Sequence, residues 1–156
     1  MKMNKFIVSV CCTVMLLACN IGPENLLEND NFKLTLDETG QLSELLDKES
    51  GKNLLMNGNP TSFLTVESGG EKYAISNWKR SGDVLNFSFD GVGAKIKVKV
   101  ANKKEYLTFE IIDVASDERI DKVIWGPYQV LPSEKIGQSI GIAYDDEWLL
   151  VLWDSI

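Results

Sequence analysis

Ala94-Lys95-Ile96-Lys97-Val98-Lys99-Val100 decides the fold. Apolar and charged residues alternate at every step, and only an extended strand sends successive side chains to opposite faces. A helix would spread the three lysines around its circumference. The run therefore predicts a strand with Ile96, Val98 and Val100 against a core and Lys95, Lys97 and Lys99 in solvent. Lysines so placed also discourage edge-to-edge pairing. Lys103 and Lys104 continue the basic stripe, which would otherwise suit an acidic polysaccharide.

Working outward, the same period of two recurs in both directions. Upstream are Phe32–Leu36, where Phe32, Leu34 and Leu36 alternate with Lys33 and Thr35, then Ser62–Glu67, Lys72–Trp78 and Val84–Asp90. Downstream are Tyr106–Val114, Ile120–Trp125, Ser139–Tyr144 and Trp148–Trp153. Turn residues separate them at Glu38-Thr39-Gly40, Lys48-Glu49-Ser50-Gly51, Gly69-Gly70, Ser81-Gly82-Asp83, Asp90-Gly91, Ala101-Asn102-Lys103 and Asp145-Asp146. Short strands at such spacing, joined by polar turns, predict an all-β fold, an antiparallel β-sandwich spanning 32–156. Leu42–Lys48 and Glu134–Gln138 are the two stretches that fit short helices. No internal repeat, low-complexity tract or second domain interrupts the series.

The N-terminus reads differently. Lys2 and Lys5 precede Phe6–Leu17, an apolar run of about twelve residues, which suits a signal peptide rather than a span of ~20. Leu16-Leu17-Ala18-Cys19 resembles the lipobox of bacterial lipoproteins, so residues 1–18 are expected to be removed and Cys19 lipidated. An ordinary secretory signal is the alternative. Two or more acyl chains on Cys19 would hold the protein at the outer membrane, on its cell-surface or periplasmic face. Residues 19–31, polar and carrying Gly22-Pro23, read as a tether. Leu26-Leu27 also fit the lead-in to a first strand.

Composition then excludes much. Of three cysteines, Cys11 and Cys12 leave with the signal and Cys19 is modified, so the domain has no disulfide and no cysteine-based metal site. It also has no histidine, which removes serine–histidine and cysteine–histidine nucleophiles and histidine-bound zinc. No cofactor is implied. Of 16 lysines and arginines, Lys2 and Lys5 are lost, leaving 14 against 23 acids and a formal charge of −9. Such a surface repels nucleic acid and tolerates neutral ligands.

Two residue sets remain for chemistry. Paired carboxylates can cleave glycosides, and Asp145-Asp146-Glu147 and the group Asp113, Asp117, Glu118 and Asp121 are candidates. Both lie near turns, where acids commonly solvate and bond the backbone. Gly51-Lys52 lacks the surrounding residues of a phosphate loop, and Asp145–Glu147 lacks calcium-loop spacing. Aromatics are the second set, since flat rings pack on the apolar side of a pyranose. Among Trp78, Trp125, Tyr128, Trp148 and Trp153, strand-end Trp125 and Trp153 favour a core position. Tyr128, after Gly126-Pro127, favours exposure, and Trp148 beside Asp146-Glu147 fits either.

The stretch FKLTLDETGQLSELLDKESGKNLL, Phe32–Leu55, resembles the opening of a galactose-mutarotase-like β-supersandwich. That domain precedes the catalytic barrel in large exported glycoside hydrolases of gut Bacteroidetes. Val123-Ile-Trp-Gly-Pro-Tyr128, Ile136–Ile142 and Asp145–Leu152 are similar to a later run of such domains. The resemblance implies a partial supersandwich, incomplete at the C-terminus or closed in another way, and a missing C-terminal catalytic domain. Mutarotase catalysis uses histidine and glutamate; with no histidine, no catalytic residue carries over. A non-catalytic carbohydrate-associated module is therefore expected, with Trp125, Tyr128 and Trp148 as contacts to an oligo- or polysaccharide. The other reading is a structural lipoprotein that caps a partner through an unpaired sheet edge, Trp148–Trp153.

Overall fold

The computed structural model describes residues 25–131, together with the backbone of Lys135–Ile136, Ile142–Tyr144 and Leu149–Val151. In chain order the strands are β1 (Leu26–Glu28), β2 (Phe32–Leu36), β3 (Gln41–Asp47), β4 (Thr61–Ser62), β5 (Leu64–Ser68), β6 (Glu71–Ala74) and β7 (Asn77–Ser81). They continue with β8 (Val84–Phe89), β9 (Ala94–Asn102), β10 (Leu107–Ala115), β11 (Lys122–Trp125), β12 (Lys135–Ile136), β13 (Ile142–Tyr144) and β14 (Leu149–Val151). Among the described residues no helix is long and apolar enough to cross a membrane.

All pairings of these strands are antiparallel. The sheets run β1-β2-β3-β4, β10-β9-β8-β7, β11-β5-β6 and β12-β13-β14. Strand β9 fulfils its alternation: Ala94, Ile96, Val98 and Val100 are buried, and the three lysines are exposed. It lies between β8 and β10, so its lysines do not guard an edge; they coat the solvent face of the sheet's interior.

One core joins three sheets into a β-sandwich. From the β7–β10 sheet come Leu85, Phe87, Phe89, Ile96, Val98 and Val100. They share that core with Leu27, Leu34, Leu36 and Leu42 of the first sheet and Leu64 and Val66 of β5. Each such side chain contributes about 1.5–3 kcal/mol relative to exposure. With five ion pairs among described residues, all at least partly in water, burial rather than charge holds the layers together.

Three expectations change here. Leu42–Lys48 is not a helix; Gln41–Asp47 forms β3. The helical look has a definite cause. Leu36 faces Leu42 and Thr35 faces Glu44, a register shift that leaves Ser43 extra. Leu42 and Leu45 consequently sit opposite Leu36 and Leu34 although they are three residues apart, a spacing that mimics one helical turn. Ser43 Oγ donates to the Thr35 carbonyl at 3.1 Å across the irregularity. In the second expected helix, Lys135–Ile136 is a strand paired with β13; the rest of Glu134–Gln138 lies outside the described residues. Of the expected tether, Leu26–Glu28 pairs with Lys33–Thr35, so Leu26-Leu27 take the strand reading and Leu27 is buried.

Candidate functional site

The aromatic candidates are positioned by β11 and the segment after it. Trp125 ends β11 and pairs with Leu64 of β5, which is buried on both faces of its sheet. The indole is half-buried, edge-on to Phe63 at a centroid distance of 5.8 Å and tilted against Phe109 of β10 at 6.2 Å. Phe63 also meets Phe109 edge-on at 5.3 Å and Phe87 at 5.6 Å. Four rings drawn from four separate parts of the chain thus bridge the two layers. The inner two, Phe63 and Phe87, are buried; Phe109 and Trp125 form the outer flank.

Tyr128 is half-buried rather than free in its loop, because three backbone groups of Gly126 and Pro127 are fastened to β4, β5 and Phe63 between them. Gly126 N–H donates to the Phe63 carbonyl at 3.1 Å, Thr65 Oγ1 donates to the Gly126 carbonyl at 3.0 Å, and Thr61 Oγ1 donates to the Pro127 carbonyl. The Gly126-Pro127 bond is cis. The Tyr128 hydroxyl donates to the Phe63 carbonyl at 2.9 Å. Burial pushes this phenol well above the ordinary tyrosine value.

A pH dependence follows. The unfolded phenol ionises near pH 10, while the folded one keeps its proton to higher pH. The stabilisation is whole below pH 10 and is lost as pH rises beyond it, by up to about 1.4 kcal/mol per unit from this group. Tyr128→Phe should cost about 1 kcal/mol at neutral pH, since the Phe63 carbonyl keeps the Gly126 donor. Above pH 10 the variant should lose stability less steeply than the parent. Urea titrations between pH 7 and 11 measure both; parallel curves would show that the phenol ionises freely in the folded chain.

Trp78 is half-buried too: its Nε1 donates to the Asp37 carbonyl at 2.8 Å and its ring stacks on Phe87 at 6.3 Å. Trp148, Trp153 and Cys19 lie outside the described residues, as do Asp145, Asp146 and Glu147. Of the other acids, Asp113 belongs to β10 and pairs with Lys97 at 2.8 Å. Asp121 forms an ion pair with Arg119 Nε at 3.3 Å and accepts from Gly69 N–H at 2.8 Å. Two shallow hollows of about 320 and 400 Å³ lie elsewhere, one lined by Leu27, Arg80 and Asn102 and the other by Asn31, Asp47 and Lys48. Neither takes in Trp125 or Tyr128.

Sequence reading missed Phe63 and Phe109, the residues through which Trp125 reaches the core. Phe109 had a signal, its place in an alternating run with Leu107 and Ile111. Phe63 had none of its own. No protein-family model, curated protein or solved structure matches this chain.

Proposed function

We propose that the chain is a non-catalytic, carbohydrate-associated β-sandwich module of a glycan-processing lipoprotein. It is anchored to the outer membrane through lipidated Cys19 and stands N-terminal to the catalytic domain of a glycoside hydrolase. The observation that carries this reading is the outer flank of Phe109 and Trp125. It is an apolar aromatic surface left half-covered at the rim of the core. Such a flank suits the apolar side of a pyranose ring, or the packing of a following domain. The family resemblance of Phe32–Leu55 and Val123–Tyr128 supports the same reading, and the ties of Asp113 to Lys97 and Asp121 to Arg119 are those of structural surface acids.

The full chain, expressed in a bacterium that processes lipoproteins and extracted in detergent, tests both halves of the proposal. Fatty-acid label should enter the protein and vanish in Cys19→Ala. Against a panel of host and dietary glycans the extract should bind at least one, and Trp125→Ala should weaken that binding about tenfold. A folded protein that binds none of them removes the carbohydrate role; unlabelled protein removes the anchor.

A further inference from the structure

Strand β10 has a neighbour on one side only among the described strands, where it pairs with β9. On its other side the alternate residues of this nine-residue strand direct their backbone donors and acceptors outward, and the strand holds no proline. On its inner face Phe109, Ile111 and Val114 stand opposite Val100, Val98 and Ile96. The β9 residues are closed off, with Ile96 and Val98 at 0% exposure, whereas Phe109 and Ile111 are half-covered and Val114 is 45% exposed. The core therefore stops one strand short of where the apolar pattern ends. On the outer face, Glu110 stands opposite Lys99, and Asp113 stands opposite Lys97 and pairs with it. The charge columns thus run from basic on β9 to acidic on β10.

We propose that the side of β10 without a neighbour among the described strands is a docking site for an extended polypeptide segment in which apolar residues alternate with lysine or arginine. Added as the next strand, such a segment would cover Phe109, Ile111 and Val114 with one face. Its other face would set cations beside Glu110 and Asp113. The extra residue Ile112, 46% exposed, adds apolar area at the same edge. A second copy of β10 is the poorer occupant, because it brings Glu110 and Asp113 against their own kind. An acidic strand fails for the same reason. The segment would cover Phe109, so it and a sugar seated on the Phe109–Trp125 flank would exclude one another.

The test uses the detergent-extracted full chain and a blocked nine-residue peptide alternating valine and lysine, matched to the length of β10. Comparison peptides alternate valine with glutamate, or carry the same valines and lysines in two separate blocks. The alternating basic peptide should bind about tenfold more tightly than either and protect the amides of residues 107–115 from hydrogen exchange. Charge reversal by Glu110→Lys with Asp113→Lys should invert the preference toward the glutamate peptide. Glu110→Gln with Asp113→Asn, a milder pair, should erase the preference and serves if the reversed chain does not fold. Equal binding of the block peptide, protection away from β10, or peptide-free protection of 107–115 that rises with protein concentration would each overturn the proposal.

Discussion

Phe63→Ala should cost about 3–5 kcal/mol, the range for emptying a large aromatic site in a core. The residue is 2% exposed and touches three rings at centroid distances of 5.3–5.8 Å. Phe87 belongs to β8, Phe109 to β10 and Trp125 to β11, so a single side chain joins an inner strand of one layer to the edge strands of both. Its carbonyl is held as well, by Gly126 N–H and the Tyr128 hydroxyl, which limits how far the backbone can collapse into the space. A domain this size is stable by roughly 5–15 kcal/mol, so the variant stands near its unfolding threshold. Urea denaturation followed by tryptophan fluorescence and circular dichroism measures the loss. Phe109→Ala should cost about half as much, because its ring is already half in water. If the two losses are equal, the layers are joined at the rim and not through Phe63.

The architecture was legible where period two is unbroken, as in Ala94–Val100, whose four inward residues are all buried. It was obscured where a strand carries an extra residue. In β3 the surplus Ser43 turned a strand's pattern into a helix's, and the same irregularity in β10 puts Ile111 and Val114 on one face at a spacing of three. Periodicity cannot distinguish a bulged strand from a helical turn over so few residues, and only the partner strand settles it. The aromatic flank was legible in half. Trp125 is read from its place at a strand end, but its neighbours lie 16 to 62 positions away and come together only through the sandwich. Tyr128 looked exposed from Gly126-Pro127; three long-range hydrogen bonds from residues 61–65 and 126 decide otherwise.

The β2–β3 turn gives the second large effect. Asp37 Oδ1 accepts from Thr39 N–H at 2.8 Å, Thr39 Oγ1 at 2.7 Å and Gln41 N–H at 3.0 Å, which curls the chain through Gly40 at φ +78°. A Cβ there would lie 2.9 Å from Ile75 Cγ2 and 3.1 Å from Trp78 Cδ1. Trp78 cannot move aside freely, since its N–H is bonded to the Asp37 carbonyl and its ring lies on Phe87. Gly40→Ala should therefore cost about 2–4 kcal/mol, combining left-handed backbone with overpacking. Gly58→Ala provides the comparison. Gly58 has φ +63° with nothing within 4 Å of its added Cβ, so only the backbone component of about 1 kcal/mol applies. The difference between the two, read from urea midpoints, isolates the contact between this turn and the segment joining β6 to β7. Equal losses would mean that Ile75 and Trp78 yield without cost, and that the turn is seated by Asp37 alone.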